Sequence, residues 1–313
     1  MSPDVAASVR ARLLNQAKAA HEEFERTLVR YADERLLYRL GASAARDKCV
    51  LKGASLLTVW MDDPYRATRD VDLMATGASD DASIRATVEQ ICGVSCPEDG
   101  LRYDLEELLI EDIRAGEEYA GKRARFVAYL GTARIRVQVD FGYGDALPEG
   151  PVEIRYPTML AGLPAPRLRA YPREATVAEK FEAMVTLDIR NSRMKDFHDI
   201  WALSGAFAFD GLHLRRAIEA CFARRVTGWD GEVPRALTPA FYQMPEFQVR
   251  WRSYLAAGAI RVAPPAQFEV IGEQVIRFLS PVRSSIVSNL PFEQSWPPGG
   301  PWAPARPSPE SIS

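Results

Sequence analysis

With 313 residues, 47% of them hydrophobic, the chain has enough material for a core and suits two domains or one domain with a helical annex. Its 39 basic and 42 acidic side chains leave a formal net charge of −3, which excludes a global basic field for nucleic acid and leaves only a local patch for that role. No apolar run reaches the length of a bilayer span, and Met1-Ser2-Pro3-Asp4-Val5 lacks the basic start and apolar block of a secretory signal, so a cytoplasmic protein without membrane attachment is expected.

In chain order, Leu13, Leu14, Ala17, Phe24, Leu28 and Tyr31 recur at spacings of three and four, which predicts a helix from Val5 to Tyr31. A shorter helix is expected from Asp33 to about Ser43, with Leu36, Leu37 and Leu40 on one side. Residues 1–47 thus read as an N-terminal helical annex. Cys49-Val50-Leu51 reads as a buried strand. Gly53 and Ala54 form a small-residue turn that opens a helix holding Leu56, Leu57, Val59 and Trp60, ended by Asp62-Asp63-Pro64. Exposed N–H groups at such a helix start are a seat for phosphate. Small residues there let the backbone approach it.

The next strand, Asp70–Met74, alternates its side chains, so Asp70 and Asp72 share one face while Val71 and Leu73 point into a core. Two carboxylates side by side repel unless a cation lies between them, and a hard divalent ion suits oxygen ligands. The alternative is a pair of solvated aspartates on an edge strand. Residues from Ala82 to Ile91 read as helix, and Leu105–Ile113 as either helix or acidic strand. Cys92 and Cys96 are four apart, but no second ligand pair completes a zinc site, and all four cysteines are expected as free thiols. Arg125–Leu130, Gly131-Thr132 and Ile135–Phe141 make a β-hairpin. Ile135, Val137, Val139 and Phe141 face one side of its second strand, and Arg136, Gln138 and Asp140 face the other. Proline-rich chain from Pro148 to Pro172 closes a core region of residues 48–172.

Helical patterning follows to about Ile260. Thr176 and Glu179 read as a capping box that starts a helix near Val177. Lys180 falls within that helix's apolar stripe of Val177, Phe181, Met184, Val185 and Leu187. A lysine there needs an anionic partner or must snorkel to solvent. A helix from Ser192 to Leu203 buries Met194, Phe197, Ile200 and Trp201, with Asp196 and Asp199 on one flank and Lys195 further round. A salt bridge from Asp196 to Lys180 or Arg193, tethering two helices, is the structural alternative to a functional role. Phe241, Tyr242, Phe247, Trp251 and Tyr254, with Arg250 and Arg252, form either a helical core or a stacking surface for single-stranded RNA. None of the three histidines has a catalytic partner in view. Residues 173–288 therefore read as a helical C-terminal lobe, and 289–313, dense in Pro, Ser and Gly, as a disordered tail.

Three inward carboxylates, Asp70, Asp72 and Asp140, are the set that magnesium-dependent nucleotidyl transfer requires. Gly53-Ala54, Asp70-Val71-Asp72 and Asp140 on a hairpin strand resemble the DNA polymerase β-like nucleotidyltransferase superfamily. More narrowly, Leu51-Lys52-Gly53-Ala54, Arg66-Ala67-Thr68-Arg69-Asp70-Val71-Asp72-Leu73, Val139-Asp140-Phe141-Gly142-Tyr143-Gly144-Asp145, Ala178-Glu179-Lys180 and Arg193-Met194-Lys195-Asp196-Phe197-His198-Asp199-Ile200 resemble the AbiEii/AbiGii toxin nucleotidyltransferases.

The resemblance implies an α/β fold: a small mixed β-sheet core after N-terminal helices, with the helical C-terminal lobe closing a nucleotide cleft. It implies an enzyme that moves an NMP from an NTP to an acceptor hydroxyl with Mg2+ or Mn2+, acting as a toxin of a toxin–antitoxin or phage-defence system. The acceptor implied is RNA, for some relatives the tRNA 3′ end, and a cognate antitoxin is an implied partner. It makes Asp70, Asp72 and Asp140 metal ligands, with Asp140 also accepting the hydroxyl proton. Lys180 and Asp196 become catalytic candidates. Lys52, Gly53, Ala54, Ser55, Lys180, Lys195 and Asp199 become nucleotide contacts; Arg66 and Arg69 flank the metal motif and either hold phosphates, Arg69 foremost as a nucleotide contact, or are solvated loop arginines. Ala54 departs from the Gly or Ser usual at its place. Two rival readings stand beside this one: an enzyme with a small-molecule acceptor such as an antibiotic, and an inactive nucleotide- or partner-binding module.

Overall fold

The computed structural model describes residues 4–61, 70–113, 121–229, 231–257 and 263–305. Two compact units divide the chain: Met1–Asp145 with Pro151–Tyr171, and Ala146–Gly150 with Pro172–Ser313.

The first unit runs α1 (Val5–Ala19), α2 (Phe24–Ala42), β1 (Cys49–Lys52), α3 (Ser55–Trp60), β2 (Val71–Ala75), α4 (Asp81–Cys92), β3 (Leu101–Ile113), β4 (Gly121–Leu130), β5 (Ala133–Tyr143), β6 (Val152–Arg155) and β7 (Arg167–Ala170). These seven strands form one mixed sheet in the order β3-β4-β5-β2-β1-β7-β6. Strand β2 runs parallel to β5, and β1 parallel to β7. The expected hairpin is β4 and β5, joined at Gly131-Thr132 with Leu130 opposite Ala133. Alternation explains how the sheet is covered. Val71, Leu73, Phe126, Val139 and Phe141 point to one side, where they meet Leu36, Leu37 and Leu40 of α2 and Val88 and Ile91 of α4. The opposite face keeps the polar set, including Asp72 and Asp140.

The segment 105–113 belongs to strand β3, which settles its two readings. The helix expected over Val5–Tyr31 breaks earlier, with His21 in the left-handed region at φ 50° and α2 continuous from Phe24 to Ala42. A short turn of this kind leaves spacings of three and four intact, so periodicity did not reveal it.

The second unit contains α5 (Arg173–Leu187), α6 (Met194–Ala206), α7 (Gly211–Arg224), α8 (Pro239–Gln243), α9 (Pro245–Ala256) and α10 (Phe268–Val287), with strands β8 (Phe209–Asp210), β9 (Gln294–Trp296) and β10 (Ala303–Pro304) in a small antiparallel sheet. Phe241, Tyr242, Phe247 and Trp251 are buried together around Phe268, so this aromatic set is core and not a stacking surface. Helix α5 starts at Arg173 behind Pro172, four residues before the expected start. The capping box does not form. The fixed φ of proline suits a helix entry, Thr176 is buried inside the helix, and Glu179 pairs with Arg225 at 3.3 Å.

Residues 289–305 also differ from the expected disorder. Trp296 is fully buried and donates to the Ser204 carbonyl at 2.7 Å, and Trp302 donates to the Phe278 carbonyl at 2.8 Å. Two large indoles anchor a stretch whose proline content alone suggests a tail. The mixed α/β class, the N-terminal helices and the helical C-terminal region agree with the sequence reading. No helix of the described residues is long and apolar enough to cross a membrane.

Candidate active site

Strand register brings the site together. Lys52 on β1 lies opposite Asp72 on β2, Asp72 lies beside Asp140 on β5, and Arg123 on β4 lies opposite Asp140. Directly paired residues share a face. The four side chains therefore form a line across four adjacent strands: cation, carboxylate, carboxylate, cation. Asp70 joins from the residue before β2. One carboxylate oxygen each from Asp70, Asp72 and Asp140 lies within 4.8 Å of the other two, and all three residues are half-buried. Among the described residues this is the one group of three or more side chains arranged to hold a metal ion. The four cysteines are free thiols, and burial pushes Cys49, Cys92 and Cys96 up to about 12.

The carboxylates have unequal partners. Arg123 grips Asp140 with both arms, Nε to Oδ1 at 2.7 Å and Nη2 to Oδ2 at 2.6 Å. Among the described residues, Asp70 receives a single long contact, from the Gln138 amide at 3.5 Å. Asp72 is backed by the turn after β1. Gly53 there has φ +74°, and a Cβ built on it would lie 2.0 Å from Asp72 Oδ2. Only glycine serves at this point, for conformation and for space. Oxygens at these separations, with that glycine opening, fit a hard divalent cation.

Lys52 pairs with Asp145, which also accepts from the Tyr171 hydroxyl at 2.6 Å. The Lys52 ammonium lies 5.2 Å from the centre of the Tyr171 ring. Ala54 precedes α3, a helix of six residues, and Ser55 is buried at its start. Arg66 and Arg69 lie outside the described residues. Beneath this face, Asp33 of α2 is buried, and neither of its oxygens has a hydrogen-bond partner among the described residues. Burial, and secondarily the charge of Asp70, pushes its carboxyl up to about 8.

The helical unit holds the remaining candidates. Buried Lys180 donates to Asp196 Oδ1 at 3.1 Å and to Asp199 Oδ2 at 2.6 Å. Arg193 adds a 2.6 Å bond to Asp196 Oδ2. Both aspartates are fully buried and Lys195 is exposed. This is the tethering arrangement between α5 and α6. His198 bonds through Nδ1 to the Tyr254 hydroxyl at 2.8 Å.

Sequence reasoning missed Arg123, Asp145, Tyr171 and Asp33. The first had a readable signal. Stepping the hairpin register outward from Leu130 opposite Ala133 places Arg123 opposite Asp140.

A family model described as "Nucleotidyl transferase AbiEii toxin, Type IV TA system" matches residues 35–271. No curated protein matches the chain. Among solved structures, JHP933 from Helicobacter pylori is similar at 11% identity and a TM-score of 0.49, covering 85% of this chain and 98% of its own. A candidate nucleotidyltransferase from H. pylori is similar at 11% identity and a TM-score of 0.45, covering 82% and 94%.

Proposed function

Since the chain belongs to the AbiEii nucleotidyl transferase toxin family of type IV toxin–antitoxin systems, we propose that its sheet face moves an NMP from an NTP to a hydroxyl of RNA, with the tRNA 3′ end as the first acceptor to test. The observation that supports this reading is the convergence of Asp70, Asp72 and Asp140 within 4.8 Å beside Gly53. Asp70, Asp72 and Asp140 would hold magnesium or manganese, which supplies charge neutralisation for the triphosphate and a lowered pKa for the attacking hydroxyl. The turn from Lys52 through Gly53 and Ala54 to Ser55 borders Asp72 and is the proposed nucleotide contact, with Arg69 a further candidate.

The proton acceptor is better placed on Asp70 than on Asp140. Both oxygens of Asp140 are taken up by one guanidinium, whereas among the described residues Asp70 receives one long contact and keeps an oxygen open to the hydroxyl. Lys180, Asp196 and Asp199 satisfy one another. We therefore assign them to positioning α5 and α6, and leave exposed Lys195 as the candidate of that set for contact with nucleotide or RNA. An NTP and an RNA acceptor place the reaction in the cytoplasm, with the antitoxin as the protein partner.

Incubation with each α-labelled NTP, Mg2+ and total tRNA tests the reading. Label on RNA is expected. Label on a small molecule instead would move the acceptor to the antibiotic class, and NTP binding without turnover would make the protein a binding module. Asp70→Ala is expected to lower transfer at least about a thousandfold with the fold retained; full transfer by that variant would remove the site assignment.

A further inference from the structure

We propose that Arg123 changes partners during the reaction cycle: it competes with a divalent cation for Asp140 and, once displaced, holds the phosphates that the cation carries. This rests on the metal–nucleotide reading of the acidic triad. Both oxygens of Asp140 accept from one guanidinium, at 2.7 and 2.6 Å. A cation that takes an Asp140 oxygen brings two positive charges against the one already there. The guanidinium must then give up at least one of its two bonds.

Where Arg123 goes next follows from its surroundings. Among the described residues, the acidic groups that act on it most are Asp140, Asp70 and Glu111. Glu111 is already held by Arg125, and Asp70 belongs to the same triad. Among the described residues, an arginine released from Asp140 finds no carboxylate outside the triad that is not already paired, so its next anion comes from a ligand. A bidentate fork matches phosphate oxygens as well as carboxylate ones. The side chain has room to swing, being 29% exposed against 14% for Asp140. The other end of the line shows the contrast. Lys52 is anchored to Asp145 and Tyr171, both outside the triad.

The test uses Mn2+ alone, and Mn2+ with inorganic tripolyphosphate, on the full chain, reading free Mn2+ by electron paramagnetic resonance. Arg123→Met is expected to bind Mn2+ alone about tenfold more tightly than the parent, and the Mn–tripolyphosphate complex at least about tenfold more weakly. Arg123→Lys is expected between the two, and carries the same signs if the methionine variant does not fold. Weaker Mn2+ uptake by the variants would make Arg123 a brace for Asp140 and overturn the proposal. Unchanged tripolyphosphate affinity would overturn it as well. If the parent takes up Mn2+ and the variants match it, the assignment of Arg123 alone falls; if none takes up Mn2+, the cation reading of the triad falls with it.

Discussion

Two clusters of aspartates in this chain are built in opposite ways. In the helical unit, Asp196 and Asp199 are fully buried and saturated by Lys180 and Arg193. In the sheet unit, Asp70, Asp72 and Asp140 are half-buried and crowd one another, and Arg123 grips Asp140 at both oxygens. Charge balanced inside the protein is structural, whereas three acids converging on a half-open face are arranged for a ligand. Acidic residues in a motif therefore mean little until their counter-charges are located.

Breaking the saturated cluster gives the largest expected effect. Lys180→Met leaves Asp199 buried without its ammonium and should cost about 3–5 kcal/mol in urea unfolding. A loss below about 1 kcal/mol would show that the cluster is not a tether, and would return Lys180 to the nucleotide-binding candidates. Gly53→Ala tests the other side. The left-handed backbone and the overlap with Asp72 should cost about 2 kcal/mol of stability. Transfer should fall by more than the lost folded fraction explains, because the carboxylate is pushed aside. Activity that tracks the folded fraction would detach Gly53 from the site.

The smallest effect sharpens the comparison through pH. Asp33 has its carboxyl raised to about 8 from an ordinary 3.8. Its folded form holds a proton that the unfolded chain releases, so this stabilising share is complete below about pH 4 and is lost as pH rises through about 8. Asp33→Asn removes that slope. Relative to the parent, the variant should gain on the order of 1–2 kcal/mol between pH 5 and pH 6.5, measured by parallel denaturation curves. A constant difference across that range would show that Asp33 does not titrate with folding.

Much of this was legible in the sequence. Strict alternation from Ile135 to Phe141 gave both the strand and the face that carries Asp140, and the spacing of Asp70 and Asp72 placed them together. Arg123 was legible too, had the hairpin register been carried past Arg125. Asp33 was not, because helix periodicity says which residues share a side but not that a sheet will cover an acid there. The start of α5 was missed because Thr176 and Glu179 imitate a cap, while Pro172 does the work four residues earlier. The segment 294–304 was missed because a composition average hides two tryptophans among prolines.

The parallel pairing of Asp72 with Asp140 has a consequence for how the protein comes off the ribosome. A parallel neighbour cannot be supplied by a tight turn; the chain must first complete α4, β3 and β4 before β5 can dock. A nascent chain that ends ahead of β5 carries two of the three acids and not the third. The geometry thus delays a complete acidic trio until most of the sheet unit has been synthesised.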